Sequence, residues 1–315
     1  MTTIHPLSPQ DATAVAAMRQ AASAHKGEAL GPEARPMFDA MLTATPAAAG
    51  IRVEPATVGG IKGFWLRPDT AQPAARMLYV HGGGYVLGSA LALTNFAGQI
   101  AAWINADTFV PDYRLAPEHP FPAAIDDVAA AYRGLVAEGA ERIAVVGDSA
   151  GGGLTLALLS ILVGEKAKGV LQPVGAAVMS PWTDLALDGA SFETRAEADP
   201  IFTRDVLQVF ADAYLRGHYA YDPKASPLYA DLKNLPPIRI DVGDDEVLLD
   251  DAVRYAERAQ AAGVDVTLSV WEGMPHVFQS SLDRFLAAEQ SVKAIGDFLR
   301  QRLVDAAHIS TRLEV

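Results

Sequence analysis

At 315 residues, 50% hydrophobic and 20% charged, the chain has the composition of a globular protein with room for one large core. Its net charge of −13 argues against nucleic acid and anionic membrane as partners, since both would repel it. It has no cysteine, which excludes disulfides and thiolate metal sites.

The opening residues, Met1-Thr2-Thr3-Ile4-His5-Pro6, hold neither the basic nor the apolar stretch of a leader, so a cytoplasmic protein is expected. Residues 1–45 read as two helices. Ser8-Pro9-Gln10-Asp11 is a helix start, with a capping serine, proline at the first position and an acid three residues on. Met37, Phe38, Met41 and Leu42 form an apolar stripe on the second helix. Ile51–Val58 and Ile61–Arg67, joined by Gly59-Gly60, predict an antiparallel hairpin. Buried strands are expected at Arg76–Val80, Thr108–Tyr113 and Arg142–Val146, with helices at Pro122–Val136 and Gly152–Val163. The longest apolar run, Leu154–Val163, contains Thr155 and Ser160 and is too short to span a membrane.

Further strands are expected at Gly175–Ser180, Ile238–Val242 and Val264–Trp271, and further helices at Leu248–Ala262 and Leu282–Leu303. Strands separated by helices predict an α/β protein whose mostly parallel sheet is covered on both faces. The segment 185–222 breaks that alternation. Its helix, Arg204–Arg216, places Val206, Leu207, Phe210, Ala213 and Tyr214 on one face. This segment and residues 1–45 admit two readings: helices packed on the core, or a lid over the carboxyl ends of the strands, where open α/β sheets bind ligands.

Chemistry concentrates in three places. Gly147-Asp148-Ser149-Ala150-Gly151 lies between a predicted strand and a predicted helix. A serine on such a turn is lifted clear of the sheet beside a helix N-terminus, where it can attack a carbonyl. His81-Gly82-Gly83-Gly84-Tyr85 follows another strand, and its bare glycine amides could hold a developing oxyanion. It lacks the spacing of either phosphate-binding glycine motif. Of the seven histidines, His276 follows the last strand in a Gly/Pro-punctuated loop, where a general base belongs in a nucleophile–acid–histidine order. His218 falls in the 185–222 segment and His308 near the C-terminus. The acid is open. Asp241, Asp244, Asp245, Glu246, Asp250 and Asp251 all lie in or just after one predicted strand, and Asp244, Asp245 and Glu246 qualify by position. Helix capping and first-turn acids account equally well for several of them.

These motifs resemble the hormone-sensitive lipase family of α/β-hydrolase esterases. The resemblance rests on His81-Gly82-Gly83-Gly84, Tyr113 to Ala124, Gly147 to Gly151, Ser180-Pro181-Trp182-Thr183-Asp184-Leu185 and Gly273 to Phe278, and runs from about residue 50 to 300. It implies an α/β-hydrolase fold with a mostly parallel eight-stranded sheet and a small helical cap. The cap would comprise 1–45 and 185–222, and the core 46–184 and 223–315. The family pattern Asp-Pro-Leu-x-Asp-Glu, laid on Leu248 and Asp250, puts the acid at Glu246 rather than at an aspartate, with Asp245 as competitor.

The expected activity is hydrolysis of short- to medium-chain acyl esters. Ser149 would be the nucleophile, His276 the base and Glu246 its orienting acid, with the amides of Gly83, Gly84 and Ala150 as the oxyanion hole. Asp148, Tyr113, Arg114 and Glu118 read as scaffold. Tyr85, Phe38, Phe210 and Tyr214 are expected at an apolar pocket. Glu193, Arg195, Glu197 and Asp199 suggest a polar lid suited to soluble esters. No metal or organic cofactor is implied, there being no H-E-x-x-H and no nucleotide loop. The expected partner is a small ester, with no nucleic acid and no integral membrane; a homodimer is allowed but not specified. Lactonase, amidase, carbamate hydrolase and lipase activities use the same triad, and hormone receptors of this fold lack the histidine that His276 supplies.

Overall fold

The computed structural model describes residues 1–313 apart from Ala24, Ala29 and Pro73, with side chains through Ala306. The strands are β1 (Thr2–His5), β2 (Ile51–Val58), β3 (Ile61–Pro68), β4 (Ala75–Val80), β5 (Asp107–Pro111), β6 (Arg142–Asp148), β7 (Gly175–Met179), β8 (Ile238–Gly243) and β9 (Val266–Trp271). The helices are α1 (Pro9–Ala22), α2 (Arg35–Leu42), α3 (Thr94–Ile104), α4 (Ala123–Ala137), α5 (Ser149–Glu165), α6 (Ser191–Thr194), α7 (Arg204–Leu215), α8 (Leu249–Ala261) and α9 (Leu286–Leu313).

The strands form one sheet in the order β1-β9-β8-β7-β6-β4-β5-β3-β2. Only the β2/β3 and β3/β5 pairs are antiparallel. The sheet therefore has nine strands, not the expected eight. The extra one is β1, paired in parallel with β9 from Thr2↔Leu268 to His5↔Trp271. Four residues, three of them exposed, show no alternation of their own, so only the backbone of β9 makes them a strand.

Both faces of the central strands are buried, and the two-residue period sorts their side chains. Leu78, Val80, Ile143, Val145, Ala176 and Val178 face the cluster built with α4, α5 and α8. Met77, Tyr79, Ala144, Val146, Ala177 and Met179 face the one built with α3 and α9. Near-continuous apolar runs are what a parallel sheet covered on both sides requires. α3 was not among the expected helices. Its buried residues Phe96, Ala97, Ile100, Ala101 and Ile104 do recur at helical spacing, so the signal was present in the sequence and was overlooked. Ser149–Lys168 is the one stretch among the described residues long and apolar enough to cross a membrane; it is 61% buried and serves as the core helix.

A third, smaller cluster joins Val15 of α1 to Trp271, Met274, Phe278 and Phe285, residues that bracket His276. The N-terminal segment also meets the 185–222 segment: Lys26 Nζ donates to Ala196 O (2.6 Å) and the Gly27 amide to Ile201 O (3.3 Å). On α2 the expected apolar stripe splits. Phe38 and Leu42 pack inward, whereas Met37 and Met41 are exposed.

The start of α1 has a long-range task. Ser8 caps the helix by accepting the Asp11 amide (3.0 Å), and the buried Asp11 carboxylate caps α9 by accepting the amides of Leu286 (2.7 Å) and Ala287 (3.3 Å). Replacing Asp11 by alanine leaves those two amides unpaired, at a cost of about 1–2 kcal/mol. Thermal unfolding of Asp11→Ala should show a Tm lower by about 3 °C; an unchanged Tm would contradict the capping role.

Candidate active site

β6 ends at Asp148 and α5 begins at Ser149, with nothing between them. The chain reverses within one residue, so Ser149 adopts a left-handed backbone (φ +53°) that side chains rarely occupy. The flanking glycines are there for close approach. A Cβ on Gly151 would lie 2.1 Å from Val80 O, and one on Gly147 would lie 2.3 Å from Gly151 O. Ser149 is 8% exposed, and its Oγ lies 2.8 Å from His276 Nε2.

His276 stands in the loop after β9, with its Nδ1 2.7 Å from Glu246 Oε2. Glu246 is fully buried, and its other oxygen accepts the Gly243 amide (2.9 Å) and the Ser180 hydroxyl (2.7 Å). Ser180 Oγ in turn accepts the amide of Val277 (3.1 Å), so one hydroxyl ties the acid to the histidine loop. The remaining carboxylates turn elsewhere. Asp245 forms an ion pair with Arg19 of α1. Asp244 accepts the Gly273 amide, Asp250 that of Ser191, and Asp251 those of Thr183 and Asp184. Asp241 is paired with Arg239. Among the described side chains, Glu246 alone of these acids reaches His276. His218 pairs with Asp222 on the surface, and the side chain of His308 lies outside the described residues.

Burial works against a charged ring at His276. The Glu246 carboxylate, its hydrogen bond, and the charges of Asp199 and Asp148 outweigh that effect and raise its pKa above 6.5. A histidine between a hydroxyl and a carboxylate can take the hydroxyl proton and remain stable as a cation.

The glycine loop lies against the serine turn. Asp148 joins them, accepting the Tyr79 hydroxyl (2.7 Å) on one oxygen and the Gly82 amide (3.1 Å) on the other. Burial lifts its pKa to about 6 despite these donors and nearby His276. Gly83 (φ +112°) and Gly84 (φ +61°) take left-handed conformations, and their amides donate to no protein acceptor among the described residues. The Ala150 amide, in the first turn of α5, has no acceptor within the helix. The expected scaffold residues make scaffold contacts: Tyr113 donates to His81 O (2.7 Å), Arg114 grips Asp127 (2.7 Å) and Glu118 pairs with Arg35 (2.7 Å).

Tyr85, Phe210 and Tyr214 come together over this loop. The rings of Tyr85 and Tyr214 stack at 3.9 Å, and Phe210 lies against Gly84 so closely that a Cβ there would be 2.9 Å from its ring. Phe38 is half-buried against the main core. Three residues at the site were missed or misread from sequence. Ser180 was visible only as a motif letter. Phe202 meets the His276 ring edge-on, with centroids 5.0 Å apart. Asp199, read as lid surface, is fully buried, because its carboxylate accepts three backbone amides. Charge alone could not distinguish it from Glu193 and Glu197, which are exposed.

In an NMR titration the His276 imidazole should protonate with a midpoint above 6.5, and Glu246→Gln should lower that midpoint by removing the adjacent negative charge. A larger drop in Asp245→Asn than in Glu246→Gln would contradict this geometry.

A family model described as the α/β-hydrolase fold matches residues 77–280. An acetyl-hydrolase of Streptomyces hygroscopicus is 38% identical over 246 residues, 78% of this chain and 81% of its own length. An esterase of Acinetobacter venetianus is 34% identical, over 85% of this chain and 89% of its own. The crystal structure of EstE5 superposes with a TM-score of 0.87 at 38% identity, covering 95% of this chain and all of that one. An esterase from the bacterial hormone-sensitive lipase family gives a TM-score of 0.86 at 39% identity, over 94% and 99%. The chain therefore belongs to the α/β-hydrolase fold family, within its hormone-sensitive lipase group.

Proposed function

We propose that this protein is a serine carboxylesterase that hydrolyses short- to medium-chain acyl esters through an acyl-enzyme. The observation that carries the proposal is the unbroken line Glu246–His276–Ser149, with contacts of 2.7 and 2.8 Å, beside a glycine loop with open amides. Ser149 Oγ attacks the ester carbonyl while His276 Nε2 takes its proton. The amides of Gly83, Gly84 and Ala150 hold the oxyanion, each such donor being worth roughly 100–1,000-fold in rate. Collapse of the tetrahedral intermediate breaks the bond to the alkoxy oxygen, which leaves as the alcohol with the proton from His276. Water then repeats the sequence on the acyl-enzyme and releases the carboxylic acid. Glu246 holds the Nδ1 side of the ring and stabilises the imidazolium.

Residues 1–45 and 185–222 are read as the lid, supported by their mutual contacts and by Phe210 lying on Gly84. Phe210 lies on Gly84 of the glycine loop, backed by the buried Tyr85–Tyr214 stack, and this bulk beside the open amides favours small acyl groups. A non-catalytic ligand-binding role is disfavoured by the contact between His276 and Ser149.

Hydrolysis of p-nitrophenyl esters from acetate to palmitate tests the proposal. Turnover should be highest for the short and medium chains, and Ser149→Ala should lose at least about 10⁴-fold; a palmitate optimum or an undiminished alanine variant would refute it. Glu246→Gln should cost roughly 10³–10⁴-fold in kcat, while Asp245→Asn stays within a few-fold; the reverse pattern would move the acid by one residue. Because the base must be neutral, kcat/KM should fall on the acid side with a midpoint above 6.5.

A further inference from the structure

The chain between α6 and α7 runs as a strap past the acid and histidine loops. Asp199 is its buried fastening. One carboxylate oxygen accepts the amides of Ile201 (2.7 Å) and Phe202 (2.8 Å), shaping the strap itself. The other accepts the amide of Val247 (2.9 Å), the residue after Glu246. Phe202, so held, sets its ring edge-on to His276, with an interplanar angle of 86°. On the outer side Arg19 donates to Ala198 O and pairs with Asp245, while Lys26 holds Ala196 O. Three amides converging on two oxygens, with no side-chain cation among the hydrogen-bond donors, suit an ionised carboxylate, which only accepts.

We propose that Asp199 is a positioning residue of this enzyme. It fastens the strap to the acid loop so that Phe202 fixes the His276 ring, and its buried charge stabilises the imidazolium formed in the reaction. This deepens the esterase reading and rests on His276 being the base. Three carboxylates act on that ring from three elements: Glu246 from the acid loop, Asp148 from the serine turn and Asp199 from the strap. The Arg19–Asp245 pair and Lys26 face the strap from outside. Burial raises the pKa of Asp199, while the three amides and His276 oppose that rise.

The test compares pH profiles of kcat/KM on p-nitrophenyl butyrate, with kcat referred to active sites counted by the p-nitrophenol burst. Asp199→Asn keeps an acceptor for the Ile201 and Phe202 amides but turns an NH₂ towards the Val247 amide and removes the charge. Its acid limb should move to lower pH by roughly half a unit, with kcat per site down about tenfold. Phe202→Leu should lower kcat several-fold and leave the limb in place. A wild-type limb and kcat in Asp199→Asn would overturn the proposal. A lower kcat with an unmoved limb would overturn it too, since Asp199 would then be structural only. Should the asparagine variant yield no folded protein, Asp199→Ser, which keeps a side-chain oxygen without charge, carries the same test. Failure of the esterase reading is distinguishable, because the Ser149→Ala variant would then retain turnover.

Discussion

The site depends on one backbone conformation, the left-handed turn at Ser149. Holding a side-chain-bearing residue there costs about 1–2 kcal/mol, and it persists only where surrounding packing over-determines it. Here that packing is severe. Val80 O, His81 and the carbonyl of Gly151 occupy the space that any side chain at Gly147 or Gly151 would need. The apolar core helix α5 and the buried strand β6 hold the two ends of the turn, so relaxing it would disturb the centre of the sheet. The same compression presents the hydroxyl to His276.

From that turn outward, order is maintained by bonds between loops rather than within them. Ser180 joins the Glu246 and His276 loops through one oxygen, and both Ser180 (φ +45°) and Val277 (φ +49°) adopt the strained left-handed form to make that link. The N-terminal segment braces the histidine loop from behind. His5 stacks on Trp271 at 3.8 Å, and Leu7 fills the space where Gly273 has no side chain. Residues 1–18 are thus part of the histidine's support, while α2 sits beside the glycine loop through Arg35, which donates to Val86 O and Ala116 O. One N-terminal stretch therefore serves two distinct parts of the site.

How much of this was legible in the sequence follows from how local each signal is. Gly147–Gly151, the triglycine loop and His276 announce themselves because turn chemistry and strand ends are local features. Strands β4 to β8 were legible because burial on both faces leaves apolar runs. β1 was not, because its stability comes from β9, more than 260 residues away. Position alone left Asp244, Asp245 and Glu246 open, and only the family pattern laid on Leu248 and Asp250 favoured Glu246; in the fold Glu246 contacts His276, while Arg19 holds the Asp245 carboxylate. Asp199 was misread as surface, since an acid whose partners are backbone amides leaves no complementary residue in the sequence to reveal it. Phe202 and Ser180 were missed for a related reason, as each acts across a fold contact that no pattern of its own neighbours encodes.

In the proposed mechanism a single serine, made nucleophilic by this geometry, carries the acyl group. The direct measurement is intact-mass and peptide analysis after treatment with a p-nitrophenyl alkylphosphonate, which traps an activated serine covalently. One adduct per chain is expected, located on Ser149, absent from Ser149→Ala and slow to form in His276→Ala. An adduct on another residue, or one that forms undiminished in Ser149→Ala, would contradict it.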